Sequence, residues 1–372
     1  MSGVKARFSI KIDNKLCIKT KRISNLYWKR EIFAYMLKQN WKKILNYVVG
    51  PVLFIVLAFS IYHKIQKQPN LPKSWEAIKE AFGAHYSLLG LMLVLMVLNW
   101  SLEARKWQLL IRPVQKVSLM TGFKAVLSGL SFSLFIPNGM GEYLGRMLYM
   151  EEGNRLKSVA VSFMGSLSQV IVTLVVGVIG LEFIMHAVPS SGLATTGLTR
   201  FWLRALSYAV IIFIGFFLLL YFKITIFVNW FEKIPFVYKH RLLIDSLKEF
   251  DRTLLLRVLL LAFIRYSVFI AQYVLMFYLF NVMMPLKEAI WSVSILFLLI
   301  AIVPTIPIAE LGVRGEISLK VFSLFSSNFL GIVSAAGFIW LINLIIPALV
   351  GSLFVLSLRI FKRTELKASK TN

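Results

Sequence analysis

Cysteine is almost missing from this chain, and acidic residues are scarce. Cys17 is the only cysteine, which excludes an intrachain disulfide and any cysteine-built metal centre. The four histidines (His63, His85, His186 and His240) lie far apart and make no ligand spacing, so neither a metal site nor a cofactor is expected. Aspartate occurs only at Asp13, Asp245 and Asp251, and no nucleophile–base pair stands out, so the chain is not expected to be an enzyme. It carries no Gly-x-x-x-x-Gly-Lys-Ser/Thr phosphate loop, which argues against ATP-driven work by this chain alone. Charge as a whole is scarce at 16% of residues, against roughly a quarter in a soluble globular domain. That leaves too little polar surface to cover a water-soluble body of this size.

What is abundant is apolar. Hydrophobic residues make up 58% of the 372 and mean hydropathy is +0.75. Several runs approach the ~20 residues a helix needs to cross ~30 Å of hydrocarbon. The net charge of +25 does not point to nucleic acid, because the Lys and Arg gather in the first 43 residues and in short loops between apolar runs. Cytoplasmic loops and anionic lipid surfaces select that placement. Residues 1–43, with twelve Lys or Arg, are too long and polar for the n-region of a signal peptide, and no small-residue cleavage site follows. They read as a basic cytosolic tail leading into a retained first helix.

Six strong spans are expected, at 44–62, 88–104, 159–185, 203–222, 254–281 and 332–358. Two further apolar stretches, 118–136 and 288–304, are broken by Pro and Gly. Orientation follows the Lys/Arg bias. The N-terminal tail, the segment 105–117 with Arg105, Lys106, Arg112 and Lys116, the segment 223–257, and the basic tail 361–372 all belong inside. The segment 186–200 belongs outside. Segment 118–157 must then start and return inside, and segment 288–331 must start and return outside. The expected fold is an all-α polytopic membrane protein of about six spanning helices plus two re-entrant helical hairpins that form inverted repeats. The loop 63–87 fits least well, since it carries Lys64, Lys67, Lys73 and Lys79 yet must lie outside.

Inverted repeats with broken helices build substrate sites near the bilayer midplane. The first turn reads Ile-Pro-Asn-Gly-Met-Gly-Glu-Tyr-Leu-Gly-Arg over 136–146, and the second reads Ile-Pro-Ile-Ala-Glu-Leu-Gly-Val-Arg-Gly-Glu over 306–316. Each has Pro closing an apolar helix, glycines permitting non-helical backbone, then Gly-Glu with an Arg nearby. Such backbone is tolerated at membrane depth only inside protein or along a cavity. Pro137, Asn138, Gly139 and Gly141, and Pro304, Pro307, Gly312 and Gly315, are therefore expected at turns that do not face lipid.

The charges in these turns are the main functional signal. Glu142, Arg146, Glu310, Arg314 and Glu316 flank broken helices in an otherwise apolar region, and a charge at the bilayer centre costs at least ~2.5–3.5 kcal/mol. In a functional reading the arginines and helix N-termini engage a lipid phosphate, while the glutamates hold the arginines or bind a cationic group. In a structural reading they are ion pairs that lock the hairpins. Gln169, Asn343 and Pro347 read as ordinary helix packing. Arg265 and Lys124 read as snorkelling to the cytoplasmic interface, and Glu103, Arg105 and Lys106 as interfacial. The stretch 240–252 reads as a helix lying on the inner surface.

Three runs carry a family resemblance. Asn99-Trp100-Ser101-Leu102-Glu103-Ala104-Arg105-Lys106-Trp107, Phe135-Ile136-Pro137-Asn138-Gly139-Met140-Gly141-Glu142 with Arg146, and Gly165-Ser166-Leu167-Ser168-Gln169 resemble the membrane domain of lysylphosphatidylglycerol synthases. The resemblance covers about 44–360. It implies a flippase-like transmembrane domain in a bacterial inner membrane, moving a lipid between leaflets, with anionic or aminoacylated phospholipid as partner. In two-domain members an aminoacyl-transferase domain follows, and this chain is expected to lack it. An isoprenoid-phosphate or sugar-lipid carrier, a membrane-embedded transferase and a non-transporting scaffold remain as alternatives.

Overall fold

Every described segment of regular backbone is helical, as it must be where hydrocarbon offers no partner to a free N–H or C=O. The computed structural model describes residues 86–134, 136, 139–187, 197–231, 247–303 and 307–368, with isolated positions from 59 to 79. The basic tail 1–43, nearly all of the expected span 44–62 and loop 63–87, and residues 240–246 of the expected surface helix lie outside them.

Among the described residues, five helices are long and apolar enough to cross a membrane: Tyr86–Ile111, Glu152–His186, Phe201–Phe222, Arg252–Leu279 and Phe329–Ser357. They match five of the six expected spans. Their apolar faces turn outward. The Phe201–Phe222 window has a hydropathy of 2.4 yet only 17% of it is buried, so lipid is the solvent those side chains suit. This is a polytopic helical membrane protein.

The first half runs α1 (Tyr86–Ile111), α2 (Leu119–Ser133), α3 (Met140–Met147) and α4 (Arg155–Ala187). After α5 (Gly197–Phe222) and α6 (Ile224–Phe231), the second half repeats the order: α7 (Arg252–Leu279), α8 (Leu286–Ile302), α9 (Pro307–Phe322) and α10 (Phe329–Trp340), which continues through a π-helical turn, Leu341–Ile345, into α11 (Ile346–Ala368). The apolar arms α2 and α8 have 15 and 17 residues. At 1.5 Å per residue neither reaches much beyond about 25 Å, so each turns back as one arm of a hairpin, α2/α3 and α8/α9.

Packing repeats as well. Helices α1 and α7 pack against each other; hairpin α2/α3 packs through α2 on α11, and hairpin α8/α9 packs through α8 on α4. Each hairpin thus lies against the last helix of the opposite half, and glycines permit the approach. A Cβ on Gly351 of α11 would meet the Leu127 backbone, and one on Gly177 or Gly180 of α4 would meet Leu298 or the Trp291 carbonyl.

The turns differ from expectation. Gly139 takes a left-handed conformation, φ 68°, at the start of α3, as a residue without a Cβ can. Gly141 already lies within α3, where a Cβ would collide with the backbone of Phe132 and Ser133. In the second hairpin Pro307 opens α9 rather than closing a helix, because the first helical position needs no N–H. Gly312 and Gly315 are buried inside α9, not in the turn. Pro137, Asn138 and Pro304 lie outside the described residues.

Candidate functional site

The middle of α1 presents Asn99, Trp100 and Glu103, spaced about a helical turn apart, toward the interior. Glu103 is only 4% exposed and gathers three cations. Lys106 Nζ is 2.6 Å from its Oε2, Arg146 Nη2 from α3 donates to Oε1 at 3.0 Å, and Arg265 Nη1 from α7 donates to Oε2 at 3.0 Å. Arg146 also reaches Glu142 Oε2, one turn earlier on α3, at 3.3 Å. Three cations face two carboxylates, so the cluster carries one excess positive charge.

Arg265 is held on all sides. Its Nε donates to Asn99 Oδ1 at 2.7 Å, its Nη1 reaches Gln169 Oε1 of α4 at 3.4 Å, and its guanidinium lies 5.0 Å from the Trp100 ring centre and 5.4 Å from that of Phe269. Asn99 in turn donates through Nδ2 to Asn343 Oδ1 at 3.1 Å, tying α1 to the π-helical turn of the second half. That turn has a local cause. Pro347 has no N–H to return to the Asn343 carbonyl, and a π turn absorbs the missing bond.

A cavity of about 430 Å³ opens beside this cluster. Its wall includes Ser133, Gly139 and Glu142 from the first hairpin, Glu310 and Arg314 from the second, and Trp100, Phe269, Trp340 and Asn343 from the helices between. Arg314 Nη2 donates to Glu310 Oε1 at 2.9 Å and its Nη1 to the Tyr273 hydroxyl at 3.4 Å. Three N–H donors in residues of this wall, Arg314 Nε, Trp100 Nε1 and Trp340 Nε1, are buried without a hydrogen-bond partner among the described residues. A stranded donor costs ~1–3 kcal/mol, which an acceptor entering the cavity would relieve. Among the described residues no cluster of His, Cys, Asp and Glu is placed to hold a metal ion.

The five charged candidates do not act as one set. Glu142, Glu310 and Arg314 line the cavity, whereas Arg146 stands behind the wall at 2% exposure. Glu316 is not in the wall; it lies on another face of α9, 4.0 Å from Lys320. The matching motif is therefore Glu142-x-x-x-Arg146 with Glu310-x-x-x-Arg314, not the two Gly-Glu pairs. Glu103 and Lys106 are buried in the cluster, while Arg105 is exposed. Arg265 turns inward instead of snorkelling, and Gln169 and Asn343 serve the polar network. Their signal in the sequence was polarity deep within apolar spans. Lys124 is exposed, 5.8 Å from the Phe354 ring.

Two helical halves, each lending a hairpin to one charged cavity between spans, define a polytopic membrane protein with a charged site among its helices. The chain belongs to the family described as lysylphosphatidylglycerol synthase TM region, whose sequence model matches residues 46–351. No curated protein matches the chain.

Proposed function

We propose that this protein is a lipid translocase that moves a phospholipid or lipid-linked headgroup between leaflets without covalent chemistry. One observation carries the reading: the Glu-x-x-x-Arg turns of both hairpins meet at a single cavity between the two halves. A site built equally from two repeats suits alternating exposure to the two membrane faces. The excess positive charge behind the wall and the stranded donors within it favour an anionic or aminoacylated phospholipid. In this reading the hairpins are re-entrant from opposite faces, and the protein sits in a bacterial inner membrane with both termini cytoplasmic. The family membership supports a lipid partner, and the shortness of α2 and α8 supports re-entrance.

The test is reconstitution in liposomes carrying trace fluorescent lipids of several headgroups, followed by quenching of the outer leaflet. The expected result is loss of protected fluorescence faster than in protein-free liposomes, for phosphatidylglycerol at least. Equal rates for every headgroup tested, with and without correctly folded protein, would defeat the translocase reading.

A further inference from the structure

The two halves are alike in layout but unlike in how they neutralise their hairpin arginines. In the first half, α1 offers Arg146 a carboxylate, Glu103, at 3.0 Å, and Glu142 adds a second at 3.3 Å. In the second half, α7, which holds the same place in the order of helices as α1, offers Arg314 a phenol, the Tyr273 hydroxyl, at 3.4 Å, and no carboxylate among the described residues. Trp100, three residues before Glu103, and Phe269, four residues before Tyr273, both line the cavity. Among the described residues Arg314 therefore has one carboxylate partner, Glu310. Both arginines keep an unpartnered Nε among the described residues, but Arg146 is sealed behind the wall while Arg314 forms part of it.

Resting on the translocase reading above, we propose that Arg314 alone takes the phosphate-type oxyanion of the headgroup, and that Arg146 is a positioning residue clamped by Glu103. A guanidinium offers a planar fork of donors that matches phosphate oxygens. Arg146 is 2% exposed behind the wall and lies out of a headgroup's reach, whereas Arg314 lines the cavity and has a neutral phenol as its second partner, which a phosphate can replace. Glu310 competes with the incoming oxyanion for the same Nη2, which keeps binding weak enough for release, as any transport site requires.

The test installs in the second half what the first half has. Tyr273→Glu gives Arg314 a second carboxylate. The purified full chain in detergent is titrated with dihexanoylphosphatidylglycerol, with inorganic phosphate and with uncharged dihexanoylglycerol, reading tryptophan fluorescence, and its melting temperature is taken in parallel. The wild type is expected to bind dihexanoylphosphatidylglycerol more tightly than either other probe. Folded Tyr273→Glu is expected to bind it about tenfold or more weakly. If Tyr273→Glu does not fold, the paired neutral variant Glu310→Gln/Arg314→Gln takes its place, with the same loss expected.

Wild-type affinity in a folded variant overturns the assignment. Inorganic phosphate bound as tightly as the lipid makes this a free-anion site and overturns the lipid source, and dihexanoylglycerol bound as tightly removes the phosphate from recognition. The translocase reading fails separately: liposomes with no lipid movement would sink it, while a binding difference between wild type and variant would leave the Arg314 site standing.

Discussion

Arg146, on the short second arm of the first hairpin, donates to Glu103 in the middle of α1 at 3.0 Å, with both side chains almost wholly buried. The pair fastens a hairpin to a spanning helix, and Glu103 simultaneously holds Lys106 and Arg265. One carboxylate thus ties α3 and α7 to α1 through Arg146 and Arg265.

Removal of that charge is the first prediction. Glu103→Gln leaves three cations without their shared counter-charge, and breaking a buried pair costs ~3–5 kcal/mol. Thermal unfolding in detergent should show Glu103→Gln as strongly destabilised or unfolded. Arg105→Ala, on the exposed side of the same turn, should change stability by less than ~0.5 kcal/mol. Equal melting temperatures for the two would deny Glu103 its role as hub.

Charge swaps should separate the two hairpins. Glu142→Arg with Arg146→Glu keeps the attraction within α3 but sets a carboxylate against Glu103, so this double variant should fold poorly. Glu310→Arg with Arg314→Glu faces only Tyr273, whose hydroxyl can donate to a carboxylate, so it should fold yet lose lipid movement. Size-exclusion profiles and the liposome assay read both outcomes. A stable first swap would mean that the Glu103 clamp does not hold the hairpin.

Close packing of the first hairpin gives a third expectation. A Cβ on Gly145 would run into the backbone of Gly129 and Ser128 across the hairpin, while one on Gly215 of α5 meets nothing within 4 Å. Gly145→Ala should therefore destabilise by ~1–3 kcal/mol or more through overpacking. Gly215→Ala should be neutral or gain up to ~1 kcal/mol of helix propensity. Melting temperatures of the two variants, compared side by side, decide it.

Topology can be read by impermeant thiol labelling after Cys17 is replaced. Glu152, whose side chain is 90% exposed, and Met283, 80% exposed, follow the first hairpin and precede the second. If the hairpins are re-entrant from opposite faces, a cysteine at position 152 labels only from the cytoplasmic side and one at position 283 only from outside. Labelling of both from one side would refute the inverted arrangement.

The sequence by itself determined the class of fold and the outline of the site. Apolar runs near bilayer length leave the backbone no state but helix, so α1, α4, α5, α7 and the long α10–α11 segment follow from hydropathy alone. Two runs too short and too broken to span mark the hairpins, and the charged turns point to Glu142, Glu310 and Arg314. What the tertiary structure decided is which charges meet. Glu103 closes the apolar run of α1 and Arg265 lies about three turns into α7, where a one-dimensional pattern reads either an interface or a buried pair. Only the packing of α1 on α7 brings them within 3.0 Å. Gly-Glu recurs in both turns and suggests Glu316 as the counterpart of Glu142, but a helix turns 100° per residue. The side chain that shares the cavity with Arg314 is the one four residues before it, Glu310, and the side chain that follows it faces elsewhere.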